Sequence, residues 1–478
     1  MQLIDSLRVN NTTTENGMPT NSSSLNFCVD LFFTIGAMRG QEKERLTKNF
    51  SLAFHDDPLR ALKILFWARD VREGAGERQV FKDILVYLAT EHPLEIGKNL
   101  SYIPEFGRWD DLLVLIGTKL ESPALDLIKH GLKSENGLCA KWIPRKGHVA
   151  NRLRSYLGFS PKQYRKTLVN LTKVVEQAMC SNDWESIEYS KVPSLAAARY
   201  QKAFYKNDGE RYGLYIEKLK KGEAKINASA VYPYDVTKSL QRGNPDVAIE
   251  QWKALPNYME GSQERILPVV DVSGSMSTPA GNNPNLTCMD VAISLGLYIS
   301  ERNVGEFQDA FITFSSNPDL QILKGNLRER YSQLSSSDWG MNTNIEKVFS
   351  LILDQANKNS VPQEQMPTKI LILSDMEFDA ATSSSGWGVE KSPEWNPTAQ
   401  QMISNMYSES GYKMPQIIYW NIQSRSNNLP VRFDQGGTAL ISGFSPSILK
   451  SILKGDMVSP QQIMDETIMS ERYKNITI

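Results

Sequence analysis

At 478 residues the chain is too long for one hydrophobic core, so two or three domains are expected, and 41% apolar with 22% charged residues excludes a disordered or fibrous class. Cys28, Cys139, Cys180 and Cys288 stand far apart without a Cys-x-x-Cys pair, which argues against a zinc finger or a disulfide framework and fits a reducing cytoplasm. The net charge of −1 is unevenly placed: residues 1–260 carry 37 Lys+Arg against 31 Asp+Glu, leaving 16 against 23 for residues 261–478, so a basic half and an acidic half are expected to meet different partners.

In chain order, residues 1–25 are rich in Asn, Ser and Thr without periodicity, which predicts a flexible leader that folds over the surface. Over 26–225 the apolar residues recur at helical spacing, as in Leu62, Ile64, Leu65, Phe66 and then Val80, Phe81, Ile84, Leu85, Leu88. Asp57-Pro58 supplies an N-cap followed by proline, and Gly74-Ala75-Gly76 breaks the chain between the two segments. Further helices are expected at 109–117, 123–132, 161–180, 184–206 and 208–221, so this domain is predicted to be an all-helical HEAT-like solenoid, with an irregular bundle as the alternative. Residues 226–260 form an aromatic connecting segment with Tyr232, Tyr234, Trp252 and Tyr258. From 261 to 455 short apolar strands at 266–272, 310–314, 370–373 and 417–422 alternate with helical sequence at 287–301, 343–357, 398–409 and 446–453, which predicts a doubly wound parallel sheet. Residues 379–397 look like an inserted loop, and 456–478 a C-terminal tail. No stretch approaches the roughly 20 apolar residues that a membrane span needs, so no membrane partner is expected.

Asp271-Val272-Ser273-Gly274-Ser275 follows an apolar strand and precedes a helix, the sheet edge at which open α/β folds bind ligands. One carboxylate and two hydroxyls on one tight turn make an oxygen-only set suited to Mg²⁺, Mn²⁺ or Ca²⁺. Asp375, after the strand at 370–373, and Thr343, ahead of a helix, supply matching groups from two other strand ends, with Thr313 and Thr287 as alternatives to Thr343. Singly, such residues are usually caps or turn residues; their order and placement together point to a metal site. The string Val270–Met276 resembles the metal-ion-dependent adhesion site of von Willebrand A domains. That resemblance implies direct coordination by Ser273, Ser275 and Thr343, outer roles for Asp271 and Asp375, and one position left open for a partner's carboxylate.

Residues 141–173 hold Lys141, Arg145, Lys146, Arg152, Arg154, Lys162, Arg165, Lys166 and Lys173 with no acidic residue, interleaved with Trp142, Tyr156 and Tyr164. Such a field attracts phosphates, and the aromatics are candidates to stack on bases, the alternative being solvated helix faces over an aromatic core. Residues 69–78 and 103–112 resemble the helical part of TROVE-type proteins, and helices followed by an A-type domain is that family's layout, which implies RNA as a partner. Lys191–Ser194 and Val231–Asp235 resemble uncharacterised relatives of that family more closely.

The chain carries no Gly-x-Ser-x-Gly elbow, phosphate loop or His-Glu-x-x-His motif, and all four histidines lie in the helical half. The expected function is therefore a non-enzymatic RNA-binding protein whose metal loop docks an acidic protein ligand or a neighbouring subunit. A protein-binding scaffold and a metal-dependent phosphoesterase are the alternatives.

Overall fold

The computed structural model describes residues 12–228, 231–242, 245–281, 283–314, 318–335, 344–379, 398–453 and 459–478. Two compact units emerge: one joins the residues up to Ile64 to Asn257–Ser470, the other joins Leu65–Pro256 to Glu471–Ile478. An α plus α/β arrangement results, with the parallel sheet in the first unit and helices making up the second.

The first unit opens with a short antiparallel pair, β1 (Thr12–Thr13) and β2 (Pro19–Thr20). Its six-stranded sheet uses β3 (Ile266–Asp271), β4 (Ala310–Phe314), β5 (Asp319–Ile322), β6 (Lys369–Ser374), β7 (Gln416–Asn421) and β8 (Thr438–Ser442) in the order β5-β4-β3-β6-β7-β8. All pairings are parallel except the edge strand β5, which runs antiparallel to β4. Every residue of β3, β6 and β8 is buried, as continuous apolar runs require when helices cover both faces of a parallel sheet. Helix Cys288–Arg302 packs on β3 and β4, and helices Phe27–Ile35 and Pro460–Ile468 pack on β8. Pro268 lies inside β3, in register with Leu371 of β6 and one residue before pairing with β4 starts at Val269, opposite Ile312.

The chain enters this sheet at its middle. From β3 it moves to β4 on one side and later returns to β6 on the other, so the winding reverses between β3 and β6. At such a reversal the flanking loops part and leave a crevice at the carboxyl ends of the strands. Asp271 ends β3 there, and Ser374 with Asp375 ends β6.

Three boundaries differ from the sequence reading. The leader is ordered from Thr12: Thr14 donates its hydroxyl to Phe378 O at 2.6 Å, and Asn21 bridges to Leu429. Thr14, Thr20, Asn21 and Ser24 are buried and serve as hydrogen-bond partners. Helices Phe27–Ile35 and Lys43–Asp56 belong to the sheet unit instead of the helical one, since Phe32 and Phe33 carbonyls accept from Ser442 Oγ (2.7 Å) and Asn421 Nδ2 (3.4 Å). The C-terminal tail contains helix Pro460–Ile468, whose Ile463, Met464 and Ile468 are buried.

In the second unit, helices among the described residues range from the short Ile103–Phe106 to the longer Arg78–Glu91 and Ser194–Asn207. The expected helix at 161–180 is split into Pro161–Leu171 and Val175–Cys180, and the one expected from 184 starts only at Ser194, because Pro193 suits a helix start and not its interior. Helix Pro245–Lys253, from the connecting segment, packs Val247 into the core of Tyr189, Phe204, Tyr212 and Ile216. Residues 380–397, most of the expected inserted loop, lie outside the described residues.

Candidate metal centre and basic face

Asp271 is fully buried, and both of its oxygens are engaged: Oδ1 accepts from Ser273 N at 2.9 Å, and Oδ2 accepts from Ser374 Oγ at 2.6 Å. The first bond closes the turn after β3. Ser273 and Ser275 then present their hydroxyl oxygens 3.0 Å apart, and the chain continues into the short 3-10 turn Gly274–Ser277. Burial, and after it the neighbouring Asp375 carboxylate, push Asp271 up to about 7.

Asp375, whose carboxylate is buried, pairs with Arg425 Nη2 at 2.5 Å. Met376, the next residue, adopts φ +66°, a left-handed conformation costly for a side chain of that size, and its N–H donates to Ser374 Oγ at 3.0 Å. Glu377 is buried too, and burial raises its carboxyl above the usual range. It accepts from Ser426 Oγ (2.5 Å), Asn428 Nδ2 (2.9 Å) and the backbone N–H of Glu15 (2.7 Å). Arg45 fixes the loop that carries Arg425 by donating to the carbonyls of Ser424 at 2.9 Å and Arg425 at 2.6 Å. Three buried carboxylates thus gather at this sheet edge.

Asp271, Ser273 and Ser275 lie at the end of β3, and Asp375 directly follows the neighbouring strand β6. Thr343 lies outside the described residues. Of its alternatives, Thr287 caps helix Cys288–Arg302 with its hydroxyl, receiving the Asp290 N–H at 3.1 Å, and Thr313 is buried within β4. Sequence reasoning missed Ser374, Glu377 and Arg425. Ser374 had a signal, as the hydroxyl before Asp375, whereas Arg425 is brought in only by the pairing of β6 with β7.

The residues fit a hard divalent cation in their chemistry. The two adjacent hydroxyls are oxygen donors, and the Asp271 carboxylate has both oxygens tied up as an orienting group. Among the described residues, no group of three or more His, Cys, Asp and Glu side chains is disposed to hold an ion.

On the basic segment, helix Pro161–Leu171 buries Tyr164 and Leu168, which turns Lys162, Arg165 and Lys166 together to solvent. Arg145, Lys146 and Lys173 are exposed as well. Arg152 instead pairs with Glu121 at 2.5 Å, and half-buried Arg154 donates to Phe159 O at 3.1 Å. The aromatics divide: Tyr164 donates to Pro144 O at 2.9 Å from within the core, Tyr156 donates to Asp126 at 2.8 Å, and Trp142 lies under the Arg108 guanidinium at 3.9 Å and Lys141 at 5.4 Å. Stacking on bases is therefore closed to Tyr164, which corrects the expectation for that residue.

A family model described as a domain of unknown function, DUF2828, matches residues 14–130 and 133–265, just over half of the chain. A second, described as a domain of unknown function, DUF7788, matches residues 265–476. The chain is also similar to the uncharacterized protein L728 of Acanthamoeba polyphaga mimivirus, at 28% identity over 94% of this chain and 86% of that protein.

Proposed function

We propose that this chain, which belongs to the DUF2828 family, is a binding protein rather than an enzyme: its sheet unit holds a divalent cation on the loop Asp271–Ser275, and its basic helical face binds RNA. The observation that carries the metal reading is the pair of Ser273 and Ser275 hydroxyls 3.0 Å apart beside a carboxylate already locked in an orienting role. A sheet wound outward from β3 suits a von Willebrand A-type fold, and a helical unit in the same chain suits a TROVE-like layout. Mg²⁺ is the cation of choice, with Mn²⁺ or Ca²⁺ as substitutes. Because the ligands are mainly neutral hydroxyls, the ion keeps much of its charge and retains an affinity for an acidic group of a protein partner or a neighbouring subunit. Ser273 and Ser275 would hold it, Asp271 and Asp375 would orient them, and Arg425 would keep Asp375 in place.

For RNA, the support is the exposed set Arg145, Lys146, Lys162, Arg165 and Lys166, none of which has an acidic partner among the described residues. Mn²⁺ titrated calorimetrically into the full chain should give a saturable heat that disappears in Ser273→Ala/Ser275→Ala. An unchanged heat in that variant would remove the metal reading. Charge reversal of Arg145, Lys162, Arg165 and Lys166 to Glu should weaken RNA binding while leaving Mn²⁺ binding intact, and RNA binding as tight as the parent's would leave the protein-scaffold reading in its place.

A further inference from the structure

The strings 69–78 and 103–112 play no part in the function above, yet the fold closes them on one another. Asp111, with its side chain fully buried, is the hub. Its Oδ2 accepts from Arg69 Nε at 2.7 Å and from Arg108 N at 3.0 Å, while its Oδ1 lies 3.4 Å from Lys82 Nζ and 4.0 Å from Arg78 Nε. Asp110 receives Arg78 Nη2, stands 3.3 Å from Lys82 Nζ, and lies 3.2 Å from Arg108 Nε. The cluster is built around Gly107, where a Cβ would come within 2.7 Å of Arg69 Nε and closer still to Asp111 Oδ2.

Four cations therefore share two carboxylates, and donors are left over. Nη2 of Arg69, a side chain only 1% exposed, and Nε and Nη2 of Arg108 are buried without a hydrogen-bond partner, and Oδ1 of Asp110 and of Asp111 meet their cations only as ion pairs, without a hydrogen bond. A buried guanidinium N–H without an acceptor is costly, and more so beside like charges. Burial, with the adjacent Arg78 and Arg69 charges adding to it, lowers Arg108 from its ordinary value despite the pull of Asp110 and Asp111. Arg108 is held in plane by the face of Trp142 at 3.9 Å, and Arg78, 49% exposed, leaves one side of the cluster open to solvent.

We propose that this cluster is a binding site for a phosphate-type oxyanion, held by Arg69, Arg78, Lys82 and Arg108. A tetrahedral dianion would supply a charge equal to the excess of the four cations over the two carboxylates, with acceptor oxygens placed for the planar, forked donors that Asp110 and Asp111 do not reach in hydrogen-bond geometry. The same chemistry is offered by free phosphate, by a phosphorylated small molecule and by the phosphates of a nucleic-acid strand. The inference stands on the cluster alone and not on the RNA or metal readings.

The test is calorimetric titration of inorganic phosphate into the full chain at neutral pH, with chloride at matched ionic strength as the blank. One saturable site is expected, with affinity reduced about tenfold or more in Arg78→Gln, a loss of one charge-assisted contact. Lys82→Gln provides the second variant. Competition by an oligouridylate without terminal phosphates would place strand phosphates in the site, and lack of competition would assign it to free phosphate; either supports the site. Absence of saturable binding, or binding equal to the parent's in both Arg78→Gln and Lys82→Gln, overturns the inference whatever the oligonucleotide does.

Discussion

Single buried charges set the local energetics of both units. Asp111 neutralises Arg69 where neither side chain reaches water, so Asp111→Ala leaves a guanidinium buried without its carboxylate. Loss of one partner from such a pair costs about 3–5 kcal/mol, and chemical denaturation of the variant should show a loss of that order. Ser273→Ala has a different profile: it removes a hydroxyl that meets Ser275 and also supports the buried Asp271 carboxylate, so stability without metal should fall by about 1–2 kcal/mol, while the cation-induced rise is lost. In the parent that rise should reach about 2.7 kcal/mol at a hundredfold excess of Mg²⁺ over its dissociation constant, read from denaturation midpoints with Mg²⁺ and with chelator. Asp271, Ser273, Ser275 and Asp375 could be picked out from sequence because each is a polar residue closely following an apolar run. Glu377 and Arg425 could not: the first is buried by contacts from Glu15 and the 426–428 loop, and the second meets Asp375 across 50 residues of chain.

At the scale of elements, uniform apolar runs made β3, β6 and β7 legible, since a strand buried on both faces has little freedom in composition. β8 escaped because Thr438 and Ser442 bound a run of only three apolar residues, and β5 because it is an exposed edge without alternation. The C-terminal segment escaped for a different reason. Its anchoring is ionic: Arg472 donates to both oxygens of Asp70 at 2.7 and 2.9 Å, and Tyr473 donates to the same carboxylate at 3.0 Å while stacking 5.4 Å from Phe106. Removing Glu471–Ile478 strands a buried carboxylate and uncovers an aromatic ring, so the truncated chain should lose about 3–5 kcal/mol from its helical unit, visible as an earlier loss of helical circular dichroism. If the truncated chain melts like the parent, that anchoring carries no weight.

Across the whole molecule, the charge division read from sequence has a structural counterpart. The exposed cations of helix Pro161–Leu171 and its neighbours lie in the helical unit, and the buried carboxylates at the ends of β3 and β6 lie in the sheet unit. RNA affinity should accordingly fall steeply with salt, each neutralised phosphate adding roughly 0.7 to the logarithmic slope for a single strand. Reversing Lys162, Arg165 and Lys166 should flatten that slope in a filter-binding series, while Arg152→Glu should do so less, because Arg152 already has Glu121 as its partner. That pairing was not legible in a segment free of acidic residues, since the carboxylate arrives from another helix. No helix among the described residues is long and apolar enough to cross a membrane. The most direct test of the central claim is anomalous diffraction from crystals of the full chain soaked in Mn²⁺. One strong peak is expected within coordination distance, about 2.0–2.3 Å, of both Ser273 Oγ and Ser275 Oγ. A map with no peak there, and with the Arg425 guanidinium as the only cation beside the carboxylates of Asp271 and Asp375, would contradict it.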